Sequence, residues 1–401
     1  MSSREQHNSN LGRKMTRMTT RCVMGCVMLV LLFTLEYAEA EWITLDFPKS
    51  SRTEAIGIDG GNIVGFYYGA EGERGFLYDL ATDTWTSLSF PGADSTTPYA
   101  IDGKNIVGYY VVSGERHGFL YNMATNGWTT IGLSGETYAY GIDGNIVVGC
   151  YGSPGAYKGF LYDCVTTRWT TLEAPGAIQT YADGIDGGIV VGYGAVGVDD
   201  SWLYDIATAT FTAFYGPTGG FAYPRDIDGG NIVGDYVVPG ERHGFLYDGV
   251  SWTDLDFPGA DATTPYGIDG GNIVGYYDAS SRAHGFLYMA TIDASVEIKP
   301  DTLNLGSKGR WITCYIGLPE GYDVEDIDIG SVALKKDEFE VGGEYGEFQT
   351  GKLMVKFPRK EVQDILEEGE VELTITGELI DGTPFEGTDT IRVIDKGGKE
   401  E

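Results

Sequence analysis

Residues Pro265–Tyr288 read PYGIDGGNIVGYYDASSRAHGFLY, and the chain states this phrase six times. An Ile-Asp-Gly turn recurs at Asp59, Asp102, Asp143, Asp186, Asp228 and Asp269. After each comes an Asn-Ile-Val-Gly-Tyr-Tyr-like run, then a Gly-Phe-Leu-Tyr run such as Gly75–Tyr78 or Gly118–Tyr121. A tryptophan segment follows at Trp85, Trp128, Trp169 and Trp252, with Phe211 in that place in the fourth unit. The period of about 42 residues is that of a four-stranded propeller blade. β-branched and aromatic residues fill the four short runs, without helical periodicity. Asp-Gly-Gly-Asn between the first two supplies the positive-φ residues of a tight hairpin.

The two ends of the repeat are complementary. Trp42–Pro48 is a fourth strand that precedes any first strand, and the sixth unit stops after Tyr288 without a tryptophan strand of its own. The N-terminal strand is therefore expected to complete the last blade and to leave no open sheet edge at the seam. The expectation is an all-β chain: a six-bladed β-propeller over residues 41–293, followed by a second domain.

The run G-I-D-G-G-N-I-V-G-Y-Y…H-G-F-L-Y-D…W-T-x-L-D-F-P-G-A resembles the HAF-type "probable extracellular repeat" of exported microbial proteins, over roughly residues 42–291. That resemblance implies export and a propeller-like fold, and it carries no catalytic residue. The Tyr-x6-Trp spacing of Tyr78/Trp85, Tyr121/Trp128 and Tyr162/Trp169 is also similar to kelch repeats, without their glycine pair.

Residues 1–40 read as a signal peptide: basic Arg13, Lys14, Arg17 and Arg21, an apolar run Cys22–Leu35, and a small-x-small Ala38-Glu39-Ala40. Cleavage would leave a secreted or cell-surface chain with no membrane insertion and three cysteines, Cys150, Cys164 and Cys314. These make neither a disulfide framework nor a metal cluster, and the repeat register sets Cys150 opposite Gly159 rather than Cys164. From Ala294 the repeat vanishes and short alternating segments suit an immunoglobulin-like β-sandwich over 294–395, with one helical stretch at Lys360–Glu368 and a solvated tail at 396–401. This part looks like an accessory module of secreted microbial proteins. Related modules carry an aspartate-rich, calcium-loop-like insert where this chain has Gly343–Gly351 without alternating aspartates, so calcium is not supported there.

The formal net charge of −32 argues against nucleic acid and anionic membranes as partners, since phosphate neutralisation supplies most of such affinity. Propeller geometry would collect the six turn aspartates on one face. Arg74, Arg116, His117, Lys158, Arg242, His243, Arg282 and His284 would gather on the other. The turn aspartates read as turn initiators that bond backbone two residues on, rather than as a calcium-binding ring. His117, His243 and His284 hold one phase of different blades, too far apart for a single metal. No nucleophile elbow, triad or phosphate loop is present, so no catalytic residue and no cofactor are assigned.

The repeats disagree at one column. Three residues before each turn aspartate stand Ile56, Tyr99, Tyr140, Asp183, Arg225 and Tyr266, with Tyr138, Tyr181 and Tyr223 beside them. In the irregular fourth unit Asp199, Asp200 and Trp202 replace the usual loop and Gly-Phe. The expected ligand site is this channel mouth: tyrosines stacking on sugar, Arg225 forking onto a ligand carboxylate, Asp183 and Trp202 completing it. The function expected is a non-catalytic exported protein binding a cell-surface or matrix glycan or protein. The alternatives are a polysaccharide lyase or hydrolase using Arg225, Asp183 and Tyr140 or Tyr266, and a purely structural envelope or matrix component.

Overall fold

A computed structural model describes residues 41–195, 201–217, 219–319, 322–337, 339–349, 351–380 and 382–395. The signal-peptide reading, the tail and Asp199–Asp200 lie outside the described residues. The described chain is all-β, with propeller-like four-stranded antiparallel sheets, one short α-helix, Arg359–Asp364, and two single-turn 3-10 helices. No helix among the described residues is long and apolar enough to cross a membrane.

Among the described residues, 41–289 make six four-stranded sheets. The first is a meander of Arg52–Asp59, Asn62–Gly69, Gly72–Asp79 and Thr84–Leu88. The pattern follows from composition: alternate residues of Ile-Val-Gly and Gly-Phe-Leu bury on either face, and Gly60 and Gly61 take φ of 52° and 79° in the hairpin. The first strand of every sheet packs on that of the next, and the sixth packs back on the first.

The closing strand is the one that the sequence left over. Glu41–Leu45 pairs antiparallel with Arg282–Met289, setting Trp42 opposite Tyr288. That register repeats Trp85 opposite Tyr78, Trp128 opposite Tyr121, Trp169 opposite Tyr162, Phe211 opposite Tyr204 and Trp252 opposite Tyr247. Trp42 packs edge-on against Phe286 at 5.1 Å and Tyr288 at 4.8 Å, and reaches Phe257, in the connection that follows the preceding sheet, at 5.4 Å. Burying the edge and the indole together ties the two ends of this region.

Beyond it, a four-stranded sheet (Ser295–Lys299, Trp311–Gly317, Lys352–Pro358, Tyr345–Gln349) and a six-stranded sheet share one apolar core that includes Ile298, Ile312, Phe357, Leu373 and Phe385. Within Gly343–Gly351, where related modules carry their insert, Tyr345–Gln349 is a strand hairpinned onto Lys352–Pro358. Cys150 lies opposite Gly159, and Cys150, Cys164 and Cys314 are free thiols, the first and last buried.

Candidate functional site

The column at which the repeats disagree has a backbone cause. In every innermost strand the register slips by one residue: between Ala55 and Gly57, Pro98 and Ala100, Ala139 and Gly141, Ala182 and Gly184, Pro224 and Asp226, and Pro265 and Gly267. The residues passed over are Ile56, Tyr99, Tyr140, Asp183, Arg225 and Tyr266. A bulge leaves its residue without a cross-strand partner and re-aims the side chain. All six line a single cavity of about 240 Å³, together with Ala100, Tyr193 and Asp226. The next residue along is glycine in four of the strands because neighbouring strands converge. A Cβ on Gly57 would lie 2.6 Å from the Tyr99 carbonyl oxygen, and one on Gly184 would lie 2.6 Å from Cα of Asp226.

Charge within the cavity is largely paired. Arg225 donates from Nε to Asp235 Oδ1 at 3.0 Å and from Nη1 to Asp183 Oδ2 at 3.3 Å. Arg242 Nη1 binds the other oxygen of Asp235 at 2.7 Å, and the Asp235 side chain is wholly enclosed, at 0% exposure. The Arg225 guanidinium lies 4.9 Å from the Tyr223 ring, 5.1 Å from Tyr266 and 5.9 Å from Tyr193, a cation held among tyrosine faces. Arg225 therefore does not stand free to fork onto a ligand carboxylate, as its sequence position suggested; two protein carboxylates already hold it. Its Nη2 and the Oδ1 of Asp183 make no hydrogen bond among the described residues. Arg225 and Asp183 keep 13% and 11% of their side chains accessible.

Burial shifts the acids upward because a charge in a low-dielectric site loses its hydration. Asp183 is raised to about 6 by burial, with Arg225 pulling the other way. Asp226, which stands where the other strands carry Gly or Ala, is raised to about 7 by burial, opposed by the amides of Ile268 and Ile227. Its Oδ2 accepts from the Ile268 amide at 3.1 Å. Burial likewise lifts the hydroxyls of Tyr99 and Tyr140 well above their ordinary range. These phenols stay protonated at neutral pH, and the Tyr140 hydroxyl accepts from the Cys150 thiol at 3.8 Å.

Tyr138, Tyr181 and Tyr223 form the next level toward the strand starts. Tyr181 stacks on Tyr193 at 4.8 Å, Tyr193 meets Tyr223 edge-on at 5.1 Å, and Tyr138 lies 5.8 Å from Tyr140. Trp202 is a correction. It lies in the core of its sheet at 3% exposure, edge-on to Phe211 at 5.1 Å and opposite Gly192. It fills the place of Phe76, Phe119, Phe160, Phe245 and Phe286, all fully buried, so its position is set by packing within the sheet. Sequence reasoning missed Tyr193, Asp226 and the buried partner Asp235. Asp226 and Asp235 were detectable as departures from the repeat in the same unit as Arg225.

The turn aspartates have a different role from that expected. Each reaches across to the next sheet: Gly103 donates to Asp59, Gly144 to Asp102, Gly187 to Asp143, Gly229 to Asp186, Gly270 to Asp228 and Gly60 to Asp269, at 2.5–3.0 Å. The cycle closes on itself and surrounds a second cavity of about 120 Å³. Among the described residues no group of three or more His, Cys, Asp or Glu side chains is placed to hold a metal ion.

The histidines pack on second-strand tyrosines: His243 stacks on Tyr236 at 5.5 Å and His284 on Tyr277 at 5.2 Å, and His117 lies tilted over Tyr110 at 5.3 Å. His243 and His284 also bond Asp256 and Asp46 through Nδ1, at 2.7 and 2.9 Å. The expected cationic face is largely neutralised in place. Arg116 pairs with Glu136, Lys158 with Glu173, Arg242 with Asp235 and Arg282 with Asp46. Arg74 bonds the carbonyls of Glu73 and Asp94.

No family model matches this chain. No curated protein matches it either. Among solved structures it is similar to the β-propeller domain of the Trilobed protease from Pyrococcus furiosus, with 10% identity, 61% of this chain and 94% of that one covered, and a TM-score of 0.43. It is also similar to TolB from Acinetobacter baumannii, with 17% identity, 56% of this chain and 63% of that one covered, and a TM-score of 0.41. An oligogalacturonate lyase in complex with manganese shares 13% identity, with 62% of this chain and 96% of that one covered, at a TM-score of 0.37.

Proposed function

We propose that this is an exported, non-catalytic binding protein: a six-bladed β-propeller over residues 41–293, closed by its own N-terminal strand, with an immunoglobulin-like sandwich over 294–395 as spacer or docking module. The HAF-type repeat and the reading of residues 1–40 as a signal peptide support export to the cell surface or medium. The ligand is a surface or matrix glycan or protein, part of which enters the central cavity. One observation carries this reading. Six bulges, one per sheet, turn an isoleucine, three tyrosines, an aspartate and an arginine into one cavity. Sheet packing needs no such variety, whereas a recognition site does. The test is a glycan array and a surface pull-down with the mature chain and a Tyr99→Ala/Tyr140→Ala variant. Loss of binding in a variant that still unfolds cooperatively supports the reading, and unchanged binding overturns it.

An enzymatic reading is favoured by the burial of Asp183 and Asp226, which raises their carboxyls to about 6 and about 7. Against it, Asp183 is held by Arg225 and the cavity tyrosines keep their protons. A depolymerisation screen on uronate polymers with and without calcium decides it; product formation abolished by Asp183→Asn would replace the binding role.

A further inference from the structure

We propose that the central cavity takes one uncharged pyranose residue, the terminal sugar of a neutral glycan, and rejects uronic acids. This rests on the cavity being the ligand site. Size is the first argument. A volume of about 240 Å³ falls below the roughly 300–1,000 Å³ that encloses a drug-sized molecule. The space suits a single ring. Below it Asp226 and Ala100 border both this cavity and the smaller one ringed by the turn aspartates, so the Asp226 side chain forms part of the floor. A guest entering from the Tyr138–Tyr181–Tyr223 level is stopped after one residue.

Chemistry is the second. The cavity wall presents hydroxyls on Tyr99, Tyr140, Tyr193 and Tyr266, each able to donate and accept, with Arg225 Nη2 as an open donor and Asp183 Oδ1 as an open acceptor. Sugar hydroxyls need that mixture, and tyrosine faces cover the apolar side of the ring.

Charge is the third, and it selects among sugars. Among the described residues Arg225 is the one cation on the wall, and its charge is shared between Asp183 and the fully enclosed Asp235. Asp226 adds a further carboxylate, and Glu54, ion-paired to Arg52, acts electrostatically on Tyr99 and Tyr266 from nearby. A uronic acid would bring its carboxylate into a site whose only wall cation is already neutralised, at a cost that low dielectric magnifies.

The probes are methyl glycosides of glucose, galactose and mannose and the matching glucuronic and galacturonic glycosides, titrated at pH 8 by saturation-transfer NMR against the mature chain. At least one neutral glycoside should bind saturably, and its uronic counterpart at least tenfold more weakly. Asp226→Asn should narrow that ratio. A uronic glycoside binding as tightly as its neutral partner overturns the selectivity while leaving the cavity as ligand site. Absence of binding by every glycoside, with glycan or protein capture still abolished by Tyr99→Ala/Tyr140→Ala, overturns the pyranose assignment alone. Glycoside binding untouched by that double substitution removes both.

Discussion

Replacing Asp226 by asparagine should make this protein more stable at alkaline pH, an unusual direction for a substitution in a buried channel. The reason lies in the proton. In the unfolded chain an aspartate ionises near 3.9, whereas folded Asp226 keeps its proton until about 7. Between those values the native state binds the extra proton. Stability attributable to this residue is therefore fully present below pH 4, falls as pH rises to 7, and is flat beyond. Moving from 3.8 to about 7 at about 1.36 kcal/mol per pH unit costs on the order of 4 kcal/mol. Asparagine carries no titrating proton, and its side-chain oxygen can still accept from the Ile268 amide, which Asp226 holds at 3.1 Å.

The stability gap between Asp226→Asn and wild type should thus widen by roughly 3 kcal/mol from pH 4.5 to 7.5. Urea titrations followed by tryptophan fluorescence read this directly. With slopes of about 1–3 kcal/mol per molar, the variant's midpoint should gain about 1 M or more relative to wild type across that range. Glu54 and Asp183 are also raised, to about 7 and about 6, so wild type keeps losing stability with pH for their sake. Only the difference between the two proteins isolates Asp226. Parallel curves, with a constant gap from acid to alkali, would show that Asp226 is ionised and solvated in the folded protein and would refute the argument.

Trp42→Ala should cost roughly 2–3 kcal/mol, somewhat below the ~3–5 of a fully buried tryptophan, because the partly buried indole meets Phe286, Tyr288 and Phe257 at the closure; urea unfolding measures it, and a change below about 0.5 kcal/mol would mean that this strand does not hold the ring shut. Gly184→Ala would press a methyl group to 2.6 Å from Cα of Asp226 and 3.0 Å from the Arg225 carbonyl. It should destabilise by about 1–3 kcal/mol and weaken ligand capture through the displaced Arg225, so an unchanged melting temperature would contradict the convergence of strands. Asp143→Ala removes the acceptor for Gly187 at 3.0 Å and should cost about 1 kcal/mol without affecting binding; calorimetric melting and the same glycan array check the two halves of that statement.

The closure was legible because it is a defect in periodicity: a strand too many at Trp42 and one too few after Tyr288. The cavity residues were legible for a related reason. A bulged residue has no cross-strand partner, so packing does not fix its identity, and the column Ile56, Tyr99, Tyr140, Asp183, Arg225, Tyr266 mixes apolar, aromatic, acidic and basic residues, whereas the columns beside it are small or proline apart from Asp226. Trp202 misled because it also departs from the repeat, yet it exchanges one buried aromatic for another. A change of size within the same chemistry marks repacking.

What stayed hidden was which copy of the repeat each conserved-looking side chain touches. The Asp-Gly turn reads as a local device, and its glycine two residues or one repeat away looks the same in a periodic string. Asp59 in fact bonds Gly103, and Asp269 returns to Gly60. Perfect repetition carries no information about that choice, since every assignment is equivalent under a shift of one unit. Only broken symmetry resolves it. Arg225, Asp226 and Asp235 break the pattern within one unit. Two of them bond each other directly, and Arg225 also reaches Asp183 of the preceding sheet. A charge placed at a bulge needs its counter-charge on the adjoining strand, so charged departures from a repeat should be read as sets rather than singly. Read that way, Asp235 would have marked Arg225 as already partnered rather than open to an incoming carboxylate.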